Sequence, residues 1–203
     1  ITNYPAGQAE ECHAPNHPQK EDWGKRPMPF SRELWIERED FQETPPKGYF
    51  RLYPGNQVRL KYGFVVRCTG FTKDSSTGRV LEVHCDYYPD SKSGTPGADT
   101  YKTKGVIHWV SAAHAHEAEV RLYDRLFKVA TPGKATGSML DDLNPDSLRV
   151  IRARLEPSLK EAKAEDRFQF ERHGYFVVDA ADGRAGFNRT VTLRDSWGGQ
   201  GKV

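Results

Sequence analysis

With 203 residues, 36% of them hydrophobic and 29% charged, the chain holds enough material for one large domain or two small ones around a modest core. No apolar run reaches the length a membrane span needs, and the N-terminus lacks a signal-peptide pattern. A net charge of +2, with an isoelectric point near 8.4, is too mild to announce a nucleic-acid partner by itself.

Residues 1–29 are rich in proline and charge, show no regular periodicity, and are expected to lie extended over another surface. From Lys47 to Cys68 acidic residues are absent, while Lys47, Arg51, Arg59, Lys61 and Arg67 interleave with Tyr49, Phe50, Tyr53, Tyr62 and Phe64. Cations among aromatic side chains suit phosphates and unstacked bases, although a barrel strand with a solvated basic face has the same composition. Within residues 57–66, Val58, Leu60, Tyr62, Phe64 and Val66 fall on one face, and Arg59 and Lys61 on the other, as in one strand. Further strand signals lie near residues 79–88, 105–111, 119–127, 147–155, 168–170, 175–179 and 190–194, with loops at 90–99 and 131–137. Only residues 157–162, opening on Pro157, read as helical, for one or two turns. Short strands between Gly, Pro, Asp and Ser punctuation argue for an all-β fold of barrels or a sandwich.

Cys12, Cys68 and Cys85 make no closed disulfide framework and read as reduced thiols. No Cys-x-x-Cys pair supports a metal site from them and the adjacent His13 and His84. His108 sits in the apolar stretch 106–110 and reads as a hydrogen-bonded structural residue. His114 and His116 lack a third ligand or a suitably spaced nucleophile, so no catalytic residue is assigned. Trp35, Trp109 and Trp197 read as packing anchors, and Trp23, in a charged stretch, as a possible stacking platform.

Four stretches, in this order, then point to a family: Leu34-Trp-Ile-Glu-Arg-Glu-Asp-Phe41; Lys104-Gly-Val-Ile-His-Trp-Val-Ser-Ala-Ala-His114 running into Glu119-Val-Arg-Leu-Tyr-Asp-Arg-Leu-Phe127; Phe168-Gln-Phe-Glu-Arg-His-Gly-Tyr-Phe176; and Phe187-Asn-Arg-Thr-Val-Thr-Leu-Arg-Asp195. Together they resemble the C-terminal anticodon-binding region of the glutaminyl-tRNA synthetases. The two loops with which class I synthetases hold ATP do not occur, and the chain begins at Ile1, so it is expected to be a fragment cut downstream of the catalytic domain. The resemblance implies two small six-stranded β-barrels: an extended segment 1–32 packed on the proximal barrel, a distal barrel at 33–112 and the proximal barrel at 113–203. It further implies a monomeric, cytoplasmic parent enzyme that joins glutamine to its tRNA with ATP and magnesium. This part, which needs no cofactor, would contact the anticodon loop of glutamine tRNA and the catalytic domain of the same polypeptide. The related module of archaeal and eukaryotic glutamyl-tRNA synthetases stays open as an alternative, as does a ribosomal-RNA-binding barrel.

By the same resemblance Arg51 meets the third anticodon base, and Arg59 and Lys61 face the first nucleotide and its phosphate. Lys61 replaces a customary arginine there; a lysine is a point charge without a planar fork, which favours phosphate contact over base readout. Gln169 and Arg172 align with residues that hold the middle base. Gly48 and Phe50 depart from the glutamine and lysine of a well-known bacterial member, which throws third-base readout more heavily on Arg51. A further arginine that grips the middle base lies upstream of Ile1 in the family.

Overall fold

The computed structural model describes residues 1–179 and 186–193. Trp197 and the C-terminal ends of the 190–194 strand and of the Phe187–Asp195 motif lie outside the described residues. Thirteen strands and a few short 3-10 turns make up the regular structure, with no α-helix among the described residues. The expected helical piece is a single 3-10 turn, Pro157–Glu161.

The chain divides into two units, Ile1–His116 with Glu156–Ser158, and Glu117–Leu155 with Leu159 onward. In the first, the stretch expected to lie extended and without periodicity instead forms two paired strands, β1 (Ala9–Pro15) and β2 (Lys25–Ser31). Alternation sends Cys12, Ala14, Met28 and Phe30 inward, into the core of this first unit. Pro27 and Pro29 are two residues apart, so both turn their nitrogens away from β1 and the antiparallel ladder survives them.

Strands β3 (Leu34–Ile36), β4 (Gln57–Leu60), β5 (Val65–Lys73), β6 (Val80–Tyr87), β7 (Val106–Ile107) and β8 (Trp109–Ser111) complete the unit. One sheet runs β6-β5-β4-β7, antiparallel except for the parallel β4–β7 contact, and β3 pairs with β8. The single strand expected over 57–66 is a hairpin. Gly63 N–H donates to the Leu60 carbonyl at 2.8 Å, and Tyr62 adopts φ +60° at the turn. Val58, Leu60, Phe64 and Val66 still face the core, where Phe30 lies 4.7 Å from Phe64 and 5.6 Å from Trp109, centroid to centroid. Trp109 is fully buried as a packing anchor, whereas Trp35 is half exposed.

The second unit holds β9 (His116–Tyr123), β10 (Leu148–Leu155), β11 (Arg167–Phe170), β12 (Gly174–Asp179) and β13 (Gly186–Val191). They form one sheet in the order β10-β9-β13-β12-β11, with β9 and β13 parallel. Ala118, Val120, Leu155, Phe176, Val178 and Phe187 are its buried core. Among the described residues no sheet of either unit closes on itself.

Candidate nucleic-acid interface

The loop before β4 builds a concave surface in the first unit. Gly48, at φ +90°, turns the chain after Pro45 and Pro46 in a conformation that side chains rarely adopt. The resulting open cleft, about 560 Å³, is lined by Lys47, Tyr49, Phe50 and Tyr53 of the loop, by Gln57 at the start of β4, and by Lys102 and Lys104 from the approach to β7. Phe50 leaves 52% of its surface exposed, and the Lys104 ammonium lies 5.6 Å from its ring centroid. A bare aromatic face beside cations offers stacking and phosphate neutralisation together. Of the cations and aromatics named from residues 47–68, the cleft gathers Lys47, Tyr49, Phe50 and Tyr53, with Lys102 and Lys104 as unforeseen members, while Phe64 lies in the core. Their signal was a second basic stretch just ahead of Gly105, legible only once β4 and β7 are known to pair.

Arg51 follows this loop and is steered from beneath. Its Nε lies 3.3 Å from a carboxylate oxygen of Asp40, whose side chain is wholly buried, and its Nη1 donates to the Glu39 carbonyl at 3.4 Å. Leu52 N–H donates to the Asp40 carbonyl at 2.9 Å, which ties the two backbones together. Asp40 is the orienting residue that sequence reasoning missed. It stands in the charged run Glu37–Asp40, next to the isolated bridge between Phe41 and Leu52.

Arg59 was expected to point outward beside Lys61. Instead its guanidinium is turned onto the loop that follows β6: Nη1 donates to the Ser91 carbonyl at 2.7 Å and meets Ser93 Oγ at 3.2 Å, while Nη2 donates to the Ala98 carbonyl at 2.9 Å. A planar fork with several donors gathers acceptors that a single ammonium cannot span. We expect Arg59→Lys to raise amide hydrogen exchange across residues 91–101 by about tenfold, equivalent to roughly 1.4 kcal/mol of local stability. Unchanged exchange there would show that the loop holds without the fork. Lys61 sits in the β4–β5 turn, its N–H bonded to the Ile107 carbonyl and its carbonyl to the Trp109 indole, each at 2.9 Å. Its ammonium lies 5.2 Å from the Tyr62 ring.

Gln169 and Arg172 belong to the second unit. Phe168 and Phe170 face inward, Phe170 stacking on Phe176 with centroids 4.2 Å apart, so β11 presents Gln169 to solvent as alternation predicts. Opposite Gln169 in the ladder stands the exposed ring of Tyr175. Arg172 occupies the β11–β12 turn at φ +68°, a strained position for a side-chain-bearing residue, and Gly174 follows at φ +132°. An amide, a phenol and a guanidinium are thus grouped at one hairpin end, with Tyr175 the member that was not foreseen.

Residues 1–88 and 106–179 match two family models that carry one description, tRNA synthetases class I (E and Q), anti-codon binding domain. The chain belongs to this family. It is 67% identical over 201 residues to the glutamine–tRNA ligase of Cupriavidus taiwanensis, covering 98% of this chain and 34% of the relative. The corresponding figures are 61% identity, 98% and 35% for the glutamine–tRNA ligase of Ralstonia pickettii. For that of Bordetella pertussis they are 59%, 97% and 34%. The chain therefore spans about a third of the length of the curated relatives it matches. The matched residues include Lys47–Gln57 of the cleft and the Gln169 hairpin, while Lys102 and Lys104 fall between the two matched spans.

Proposed function

We propose that this chain reads the anticodon of glutamine tRNA as part of a glutamine–tRNA ligase. The observation that carries the reading is the cleft between Gly48 and Lys104, with Arg51 held beside it on a buried carboxylate, in a chain 67% identical to a glutamine–tRNA ligase. An unstacked base exposes its hydrogen-bonding edge, which a fixed fork or amide can match. In this reading Arg51 takes the third base. Gln169 and Arg172, with Tyr175 as a stacking face, take the middle one. Lys61 meets the phosphate of the first nucleotide. Arg59 contributes to first-base recognition by shaping the 91–101 loop.

The two units are read as six-stranded barrels, in the spans 33–112 and 113–203, because each joins an antiparallel meander through one parallel contact, β4–β7 or β9–β13. In the whole enzyme, ATP and magnesium serve the catalytic portion of the same polypeptide, which works as a cytoplasmic monomer. Among the described residues no group of three or more His, Cys, Asp or Glu is placed to hold a metal ion.

The test is binding of this chain to an anticodon stem-loop of glutamine tRNA and to the same RNA with the middle base changed, at one salt concentration because phosphate contacts dominate total affinity. Loss of a bidentate contact is expected to weaken binding by roughly 1–3 kcal/mol, and Arg172→Ala should abolish the difference. Equal affinity of the unmodified chain for both RNAs would overturn the middle-base assignment.

A further inference from the structure

Cys68 and Cys85 stand directly opposite each other on β5 and β6. Cys68 turns its peptide groups toward the approach to β4, its N–H donating to the Asn56 carbonyl and its carbonyl accepting from Gly55 N–H, each at 2.9 Å. The Cys85 carbonyl faces the opposite side and accepts from Thr2 N–H at 2.7 Å. The two cysteines therefore occupy a non-hydrogen-bonded pair of the ladder, where opposed Cα atoms approach to about 4.5 Å and both side chains share a face. In a regular ladder that spacing lies within the range of about 4.4–6.8 Å that disulfides span, and here the register shifts just beyond the pair, between Cys68 and Gly70. Both thiols are buried in one core cluster, which keeps them from turning apart. Cys12 belongs to the same cluster, but its ladder partner is Met28.

We propose that Cys68 and Cys85 form a reversible dithiol–disulfide site that exchanges with small-molecule disulfides of the glutathione class. The Cys68 thiolate attacks one sulfur of glutathione disulfide and releases one glutathione thiolate. Cys85 then gives up its proton and displaces the second glutathione from the mixed disulfide. The protein loses two electrons and two protons, and the oxidant becomes two glutathione thiols. The hydrogen bond from Cys85 outweighs burial and brings the Cys68 thiol down to about 7. The same bond, followed by burial, pushes Cys85 up, and burial raises Cys12 to about 11. Cys68 is thus the attacking sulfur and Cys12 a bystander. β6 is the edge strand of its sheet, and the hydrogen bonds that Thr2 and Asn3 make to Cys85 and Tyr87 must open for the reagent to enter there.

The test holds the intact folded chain at rising ratios of glutathione disulfide to glutathione, quenches with acid and maps the cysteines by peptide mass spectrometry. The expected result is a Cys68–Cys85-linked peptide that accumulates with the ratio and disappears with dithiothreitol, while Cys12 stays free. The cross-linked form should show a higher Tm, since the bond restricts the unfolded chain. A folded Cys12→Ala variant should cross-link to the same extent as the parent. Three free thiols at every ratio, or any linkage through Cys12, would overturn the proposal.

Discussion

Gly105→Ala is expected to destabilise the first unit by about 1–3 kcal/mol and to spoil the basic cleft in the same stroke. A Cβ at this position would stand 1.8 Å from the Phe50 carbonyl oxygen, 3.0 Å from its carbon and 3.1 Å from Val58 Cγ1. Backbone cannot swing aside as a flexible side chain can. The Gly105 carbonyl also accepts the Arg59 N–H at 2.9 Å, so a retreat of residue 105 loosens the β4–β7 contact. Relief must come from Phe50, whose exposed ring and neighbouring Lys104 form one wall of the cleft. A urea titration beside RNA binding checks both halves: stability and affinity should fall together. An alanine variant with unchanged midpoint and affinity would show that the two backbones do not cross here.

The second large effect concerns acid. Glu156 is nearly buried and receives the Arg26 guanidinium on both carboxylate oxygens, the Nη2 contact at 2.9 Å. His108 Nε2 lies 3.5 Å away, and Arg26 Nη1 donates onward to the Pro15 carbonyl at 2.6 Å. Burial pushes the carboxyl up, but the hydrogen bonds from His108 and Arg26, with their charge, outweigh it and hold Glu156 at about 2. Since the folded value lies below the ordinary 4.5, the stabilisation is complete above that pH and is lost as pH falls toward about 2. The loss amounts to about 3 kcal/mol. Glu156→Gln should cost about 2–3 kcal/mol at neutral pH and flatten the decline of Tm between pH 5 and pH 2. Parallel Tm profiles for parent and variant would assign the acid sensitivity to other carboxylates. The role foreseen for His108, a hydrogen-bonded structural residue, is the one this network gives it.

Much of the fold was legible because alternation in short strands is a local signal. Val58 and Leu60, Phe168 and Phe170, and the outward Gln169 follow from period two alone. The errors have local causes as well. Across Lys61-Tyr62-Gly63 the apolar alternation continues straight through a turn, since Tyr62 takes a left-handed conformation usually left to glycine, and nothing in composition marks the reversal. The β1–β2 hairpin hid behind prolines whose harmless spacing is visible only once the strands are paired. Arg59 shows the limit of reading direction from periodicity: alternation places its Cα–Cβ bond, but the long side chain goes where carbonyls gather, and those come from residues 91 to 101. Asp40 was hidden for the related reason that its burial depends on the Leu52 backbone, twelve positions away.

The parallel β9–β13 contact also sets an order of assembly. Strand β9 begins at His116, but the neighbour that separates it from β12 is supplied by residues 186–188. The hairpin of β11 and β12 can form early from sequential neighbours, whereas the middle of the sheet waits until Asn188 has left the ribosome. During synthesis the apolar faces of Val120 and Phe176 stay uncovered until β13 arrives. The second unit is therefore expected to be the slower to mature and the main source of aggregation when translation stalls short of residue 186.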